Sequence, residues 1–247
     1  MNVRPMRRID DFRRNKRVRK GMFVLPSLFT AGNIAAGYFA ISQIMQAMAG
    51  DPFRFDYAAI AIGFAVLFDG LDGRIARMTG TSSEFGKQLD SLADVITFGV
   101  APALLAYMWG CKFVEMPMGS SDLQNKLIKF GAVVTFLFLT AGASRLARFN
   151  IQLNPQPSNP GRPGRKYFVG MPTPAGAGII AAVVHLSGGT PIRQWWLSLT
   201  WILLVFAVGY LMVCTWRFFS FKDIDLRKQR PFTNFMVIAG LVWLIWA

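Results

Sequence analysis

Cysteine, histidine and acidic residues are scarce in this sequence. Its 247 residues include two cysteines, Cys111 and Cys214, and a single histidine, His185. So few thiols exclude a disulfide framework and a cysteine-rich metal site. Only 13 residues are Asp or Glu, against 27 Lys or Arg, and the formal net charge is +14. Because acids are rare, a carboxylate inside a hydrophobic stretch requires an explanation.

Hydrophobic residues are abundant, at 53% of the chain, and they occur in runs. A helix that crosses a bilayer needs about 20 apolar residues. The runs therefore predict an all-α integral membrane protein with six transmembrane helices, a further C-terminal transmembrane helix and an N-terminal juxtamembrane segment. The runs occupy residues 23–48, 57–78, 89–109, 130–148, 174–186, 195–215 and 232–247.

Basic residues concentrate on one side of the predicted spans. They lie within residues 4–20, 162–166 and 217–230, which fall on the same side if every run crosses. An excess of Lys and Arg is typical of cytoplasmic loops, so the N-terminus is predicted to be cytoplasmic. Anionic lipid head groups, rather than nucleic acid, are the expected partner of this charge.

Three regions follow from this pattern. We expect a basic cytoplasmic juxtamembrane segment over residues 1–21 and a six-helix catalytic transmembrane domain over residues 22–217. A cytoplasmic basic loop and the C-terminal helix would occupy residues 218–247. His185 is expected to be structural, and Trp195, Trp196 and Trp201 are expected to form an interfacial belt.

Four aspartates lie near the predicted cytoplasmic ends of the second and third spans. Asp69 and Asp72 are three residues apart and share one helix face. Asp90 and Asp94 are four apart and share another. A short turn near Gly80 would bring both pairs to the same depth. Charged residues inside a membrane cost about 2.5–3.5 kcal/mol each on insertion scales and mark functional sites. The alternative is that these acids pair with basic side chains at the helix ends.

Converging carboxylates repel one another unless protons or cations compensate them. Oxygen ligands without histidine or cysteine favour Mg²⁺, Mn²⁺ or Ca²⁺ over zinc. Two such ions about 3.5–4 Å apart would suit phosphoryl transfer, because they stabilise charge on the attacking and leaving oxygens. Gly73, Ala76 and Gly86 lie on the same helix faces as the aspartates, where small residues leave room for a ligand.

These residues form a long, fully specified pattern, D-x2-D-G-x2-A-R-x8-G-x3-D-x3-D. It is matched by Asp69, Asp72, Gly73, Ala76, Arg77, Gly86, Asp90 and Asp94. In this pattern the chain resembles the CDP-alcohol phosphotransferase family. The resemblance implies a six-helix core, usually in a homodimer, and a site that faces the cytoplasm from the inner membrane of a prokaryote.

The same resemblance implies roles for individual residues. Asp69, Asp72 and Asp90 would ligate two divalent ions, Mg²⁺ or Mn²⁺. Asp94 would be the general base on the acceptor alcohol and a further metal ligand. CDP-linked lipid would be the donor and CMP the leaving group. The donor is expected to bind beside Thr30, Asn33, Gly73, Ala76, Arg77 and Gly86. For Thr30 and Asn33 the alternative is a role in helix packing.

The acceptor is indicated by other segments. Residues 25–37, 142–150, 168–174 and 211–222 resemble the membrane-type phosphatidylserine synthases, which implies CDP-diacylglycerol as donor and L-serine as acceptor. Arg145 and Arg148 lie three apart at a cytoplasmic helix end, where an arginine pair can bind a carboxylate bidentately. Asn150 is expected to bind the ammonium or a carboxylate oxygen, and Lys166 the donor phosphates. The alternative for the arginines is that they snorkel to lipid phosphates.

Other activities stay open at this point. A family member with glycerol phosphate or inositol phosphate as acceptor, or with an archaeal ether-lipid donor, would share the aspartate pattern. A metal-ion transporter also has intramembrane carboxylates, but it needs polar residues through the full membrane depth. The outer halves of the predicted spans are apolar, which favours the transferase.

Overall fold

Helices account for nearly all of the described structure. The computed structural model describes residues 9–79, 84–117, 120–151 and 167–219. The helices are α1 (Ile9–Met48), α2 (Arg54–Thr79), α3 (Glu84–Asp94), α4 (Ala101–Cys111), α5 (Ser121–Ile151), α6 (Thr173–Leu186) and α7 (Trp195–Val213). A π-helical segment, Val95–Val100, joins α3 to α4 without a break.

The chain divides into two compact units. The larger comprises residues 1–153 and 171–214 and contains all seven described helices. The smaller comprises residues 154–170 and 215–247. Its described part is an antiparallel pair of short strands, β1 (Tyr167–Val169) and β2 (Arg217–Phe219), in which Phe168 pairs with Phe218.

Helices lie at each of the first six hydrophobic runs. Within the described residues, the helical stretches Phe85–Cys111, Ser121–Arg148 and Trp195–Val213 are long and apolar enough to cross a membrane. Helix α6 has 14 residues and is shorter than a full span, as its short run indicates. The predicted C-terminal span, residues 232–247, lies outside the described residues.

The helices extend beyond the apolar runs at their N-terminal ends. Helix α1 begins at Ile9 rather than near residue 23, and α5 begins at Ser121 rather than near residue 130. Lys, Arg, Gln and Leu in these flanks are good helix formers. Hydropathy therefore locates the apolar part of a helix but not its end.

Small residues in the core allow some helices to approach closely. Helix α2 packs along α1 on one side and α6 on another, and its Ala58, Ala59 and Ala65 are buried. Trp201 of α7 is 4% exposed, and its Nε1 donates to the carbonyl of Ala106 over 3.0 Å. The expectation that Trp201 belongs to an interfacial belt is therefore wrong. Trp195 and Trp196 of the same helix are exposed. Helical periodicity, which places Trp201 on a different face from these two, was the signal that could have predicted its burial.

His185 joins α6 to α2 at the end of α2 remote from Asp69. Its Nδ1 lies 2.6 Å from Oδ1 of Asp56, and both side chains are part-buried. Gly189, with φ of +69°, lies against the backbone of Asp56 in the turn that follows α6. The contact between His185 and Asp56 thus links the C-terminal end of α6 to the N-terminal end of α2, which agrees with a structural role for the histidine.

Gly37 allows α1 to approach the π-helical segment closely. A Cβ atom at this position would lie 2.5 Å from Oγ1 and 3.0 Å from Cα of Thr97. One of these atoms, Cα of Thr97, belongs to the backbone and cannot move aside by a side-chain rotation. A larger residue here would separate α1 from the helix that carries Asp90 and Asp94.

We expect Gly37→Ala to lower stability by about 1–3 kcal/mol, the usual cost of overpacking a core. The measurement is the thermal unfolding temperature of the detergent-purified protein. Gly63→Ala is the matched control, because a Cβ at Gly63 would meet nothing within 4 Å. Equal unfolding temperatures for the two variants would show that the approach of α1 to Thr97 is not tight.

Candidate metal centre and active site

Three of the four predicted aspartates come together between α2 and α3. Asp69, Asp90 and Asp94 each offer a carboxylate oxygen, and these oxygens all lie within 4.8 Å of one another. Asp94 is buried, at 8% exposure, while Asp69 and Asp90 are half-buried. The four-residue spacing of Asp90 and Asp94 places both on the face of α3 that meets Asp69.

The donor set fits a hard divalent cation. All three groups are carboxylates, which are the ligands that Mg²⁺ and Mn²⁺ prefer. Their oxygens are too close together for three uncompensated negative charges in a partly dehydrated place. The cluster is thus an acidic group able to hold a metal ion.

The remaining signature residues are placed in part. Asp72, Gly73, Ala76 and Arg77 lie in the last part of α2, but their side chains are outside the described part of the structure. Gly86 is half-buried on α3, one turn before Asp90. The roles of these residues therefore stay predictions.

Asp94 is held by α1. Nδ2 of Asn33 donates to Oδ1 of Asp94 over 3.2 Å, in a buried contact. Oγ1 of Thr97 donates in turn to the backbone carbonyl of Asn33 over 2.8 Å. Thr30 is buried one turn earlier on α1. Asn33 thus fixes the orientation of the Asp94 carboxylate, and Thr97 fixes Asn33.

The helix changes its hydrogen-bonding pattern directly after Asp94. In the π-helical segment Val95–Val100 the N–H of Ala101 bonds to the carbonyl of Ile96, one residue further back than in an α-helix. Such π-helical turns occur preferentially at functional sites. The wider turn sets the direction of Thr97 relative to Asp94. As a result Asp94 contacts the side chain of Asn33, and Thr97 contacts its backbone carbonyl.

Arg145 of α5 is a basic residue close to the cluster. Its guanidinium is half-buried, and it interacts electrostatically with the Asp94 carboxylate. Nε of Arg145 has no hydrogen-bond partner among the described residues. Arg148, one turn later, is exposed. The sequence predicts that the two arginines act as a pair, but in the structure Arg145 is half-buried and Arg148 is exposed.

Asn150 lies near the cluster at its exposed edge. Its Nδ2 donates to Oγ of Ser91 over 2.9 Å, and Ser91 is the neighbour of Asp90 in the chain. Oγ of Ser91 also donates to the carbonyl of Lys87 over 3.0 Å. These contacts join the C-terminal end of α5 to α3. Lys166 lies outside the described residues.

Sequence reasoning missed Thr97 and Ser91 as supports of the site. Both are polar residues within three positions of a cluster aspartate, which is a usable signal. Thr97 is fully buried, and a buried hydroxyl requires a partner. That partner is on a helix distant in sequence, which no local pattern reveals.

Comparisons with known proteins agree with this geometry. Residues 23–206 match the model of the CDP-alcohol phosphatidyltransferase family. The chain is 35% identical over 223 residues to a CDP-diacylglycerol–serine O-phosphatidyltransferase of Helicobacter pylori, covering 90% of this chain and 83% of that protein.

Two further relatives carry the same name. One, from Mycobacterium leprae, is 37% identical over 197 residues, covering 77% of this chain and 55% of that protein. The other, from Methanocaldococcus jannaschii, is 36% identical over 152 residues, covering 62% of this chain and 58% of that protein.

The chain belongs to the CDP-alcohol phosphatidyltransferase family. It is a helical integral membrane protein, and its acidic cluster lies within the matched region. The resemblance inferred from the aspartate pattern is confirmed.

We expect the purified protein to bind Mn²⁺, and Asp69→Asn or Asp90→Asn to weaken that binding at least about tenfold, the lower end of the cost of losing even an outer partner of a metal site. Electron paramagnetic resonance of free Mn²⁺ measures this directly. Asp122→Asn is the control, because Asp122 is exposed and pairs with Lys126. Unchanged affinity in both cluster variants would mean that these carboxylates do not hold the ion.

Proposed function

We propose that this protein transfers the phosphatidyl group of CDP-diacylglycerol to the hydroxyl of L-serine, producing phosphatidylserine and CMP. The observation that carries the proposal is the convergence of Asp69, Asp90 and Asp94. It occurs in a chain whose similarity to named serine O-phosphatidyltransferases extends over 90% of its length.

Asp69, Asp72 and Asp90 are the proposed ligands of two Mg²⁺ or Mn²⁺ ions. Bound there, divalent cations would neutralise charge on the donor pyrophosphate and on the departing CMP. Carboxylates supply this affinity without histidine or cysteine, which suits a chain that has so few of either.

Asp94 is the proposed general base. It is buried, and Asn33 holds one of its oxygens, so its position does not depend on substrate. The serine hydroxyl gives its proton to Asp94, and the serine oxygen forms a bond to the β-phosphorus, which carries the diacylglycerol. The bond from this phosphorus to the bridging oxygen breaks, and CMP leaves with the electron pair.

Arg145 is the proposed principal contact of the serine carboxylate. A buried guanidinium N–H without a partner is costly, and an anionic substrate would satisfy it. The charge of Arg145 also offsets that of Asp94 before substrate arrives. Arg148 and Asn150 are proposed to complete the acceptor site from its exposed edge.

Donor contacts are proposed for Thr30, Asn33, Gly73, Ala76, Arg77, Gly86 and Lys166. The donor would enter sideways from the inner leaflet of a prokaryotic cytoplasmic membrane, with its head group at the cytoplasmic surface. Neighbouring lipid and a second copy of the chain would surround the catalytic unit. A homodimer is proposed on the resemblance to the family.

The reaction is tested with purified protein, CDP-diacylglycerol, Mn²⁺ and a panel of alcohols, by release of CMP. We expect serine to be used in preference to glycerol phosphate and inositol phosphate. Asp94→Asn should lower turnover by about 10²–10⁴-fold, the usual contribution of a general base. It should leave binding of CDP-diacylglycerol measurable.

Asp122→Asn again serves as the control and should keep wild-type turnover. Wild-type turnover by Asp94→Asn would refute the assignment of the base. CMP release with glycerol phosphate or inositol phosphate, and none with serine, would refute the assignment of the acceptor while leaving the family reaction intact.

The two arginines are separated by kinetics. Because Arg145 faces Asp94 and Arg148 is exposed, Arg145→Ala should raise the KM for serine by about 10–100-fold, the effect of losing a charge-assisted hydrogen bond. Arg148→Ala should raise it less. Both variants should leave the KM for CDP-diacylglycerol near its wild-type value. A larger effect from Arg148, or equal effects on both substrates, would contradict the proposed arrangement.

A further inference from the structure

The hydroxyl of Thr173 is buried without a hydrogen-bond partner among the described residues. Thr173 is the first residue of α6, and it is 0% exposed. Burial of an unpaired hydroxyl is unfavourable. Valine has the same shape without that cost, so a hydroxyl at this position points to a partner outside the described residues, such as a bound ligand.

The position of Thr173 connects it to the proposed acceptor site. Its methyl carbon Cγ2 lies beside Gly142 of α5, where an added Cβ would be 3.2 Å away. Gly142 is three residues before Arg145 and shares its helix face. Arg145 interacts with the charge of Asp94. Thr173 therefore packs against α5 one helical turn before the arginine, on the helix face that Arg145 shares.

The surroundings favour an anion. The N-terminal end of a helix carries partial positive charge, and α6 has 14 residues. The N-cap residue Pro172 makes no capping hydrogen bond, and Pro174 has no N–H to contribute. Nε of Arg145 is likewise buried without a partner. A hydroxyl donor, a guanidinium N–H and a helix N-terminus in one region are complementary to a carboxylate or a phosphate.

We infer that Thr173 is a further acceptor-binding residue, whose hydroxyl donates a hydrogen bond to the carboxylate of serine beside Arg145. This inference rests on the proposed function, and it adds a determinant of acceptor specificity. The carboxylate distinguishes serine from ethanolamine, which has the same hydroxyl and ammonium groups. A donor phosphate is the other anion with suitable chemistry, and kinetics separate the two because each belongs to a different substrate.

The test compares Thr173→Val with Thr173→Ser in the full-length protein. Valine keeps the shape and removes the hydroxyl, whereas serine keeps the hydroxyl. We expect Thr173→Val to raise the KM for serine by about 10–100-fold, as loss of a hydrogen bond to a charged group does. The KM for CDP-diacylglycerol should not change, and the unfolding temperature should stay the same or rise. Thr173→Ser should restore a KM for serine close to the wild-type value.

Thr140→Val is the matched control. Oγ1 of Thr140 is exposed and bonds to the carbonyl of Phe136 in its own helix over 2.9 Å, so its loss should alter neither KM. Selectivity for serine over ethanolamine should fall in Thr173→Val and not in Thr140→Val.

Three results would overturn the inference. An unchanged KM for serine in Thr173→Val would show that the hydroxyl does not bind the acceptor. A raised KM for CDP-diacylglycerol alone would assign the hydroxyl to the donor phosphates. A lower unfolding temperature with both KM values raised would make Thr173 structural. A fourth result, a wild-type protein that releases no CMP with serine, would contradict the proposed function itself. Because it concerns the wild-type protein, it is distinguishable from the three results for Thr173→Val.

Discussion

Carboxylates that share a small, partly dehydrated volume must be compensated, and the structure around Asp69, Asp90 and Asp94 is arranged to meet this constraint. Each member would be costly alone inside a membrane helix. Together they can retain a divalent cation, so a destabilising arrangement becomes a binding site. Among the described residues, Arg145 and Asn33 contribute partial compensation, one by charge and one by hydrogen bonding to Asp94.

Close helix contact makes this arrangement possible. Asn33 reaches Asp94 only because Gly37, one turn away on α1, permits contact with the backbone at Thr97. The π-helical segment after Asp94 then positions Thr97 against Asn33. Helix α6 packs against α5 where Thr173 meets Gly142. The geometry of the site is therefore a property of helices α1, α2, α3, α5 and α6 rather than of the aspartate signature alone.

Much of this site could be predicted from local spacing. The separation of Asp90 and Asp94 by four residues places them on one face, and the signature places Asp69 opposite them. The hydrophobic runs also predict where the helices lie in the first six apolar stretches. Contacts between distant segments could not be predicted in this way. The bond from Asn33 to Asp94, the burial of Trp201 and the difference between Arg145 and Arg148 depend on how the helices pack, and the π-helical segment has no strong local signal.

The central claim is that the three carboxylates hold the divalent cation on which transfer of the phosphatidyl group depends. Crystals of the full-length protein grown with Mn²⁺ test it most directly, by an anomalous difference map recorded at the manganese edge. The account predicts a peak bonded to oxygens of Asp69 and Asp90, beside Asp94. Strong manganese peaks elsewhere on the protein, with none between these carboxylates, would contradict it.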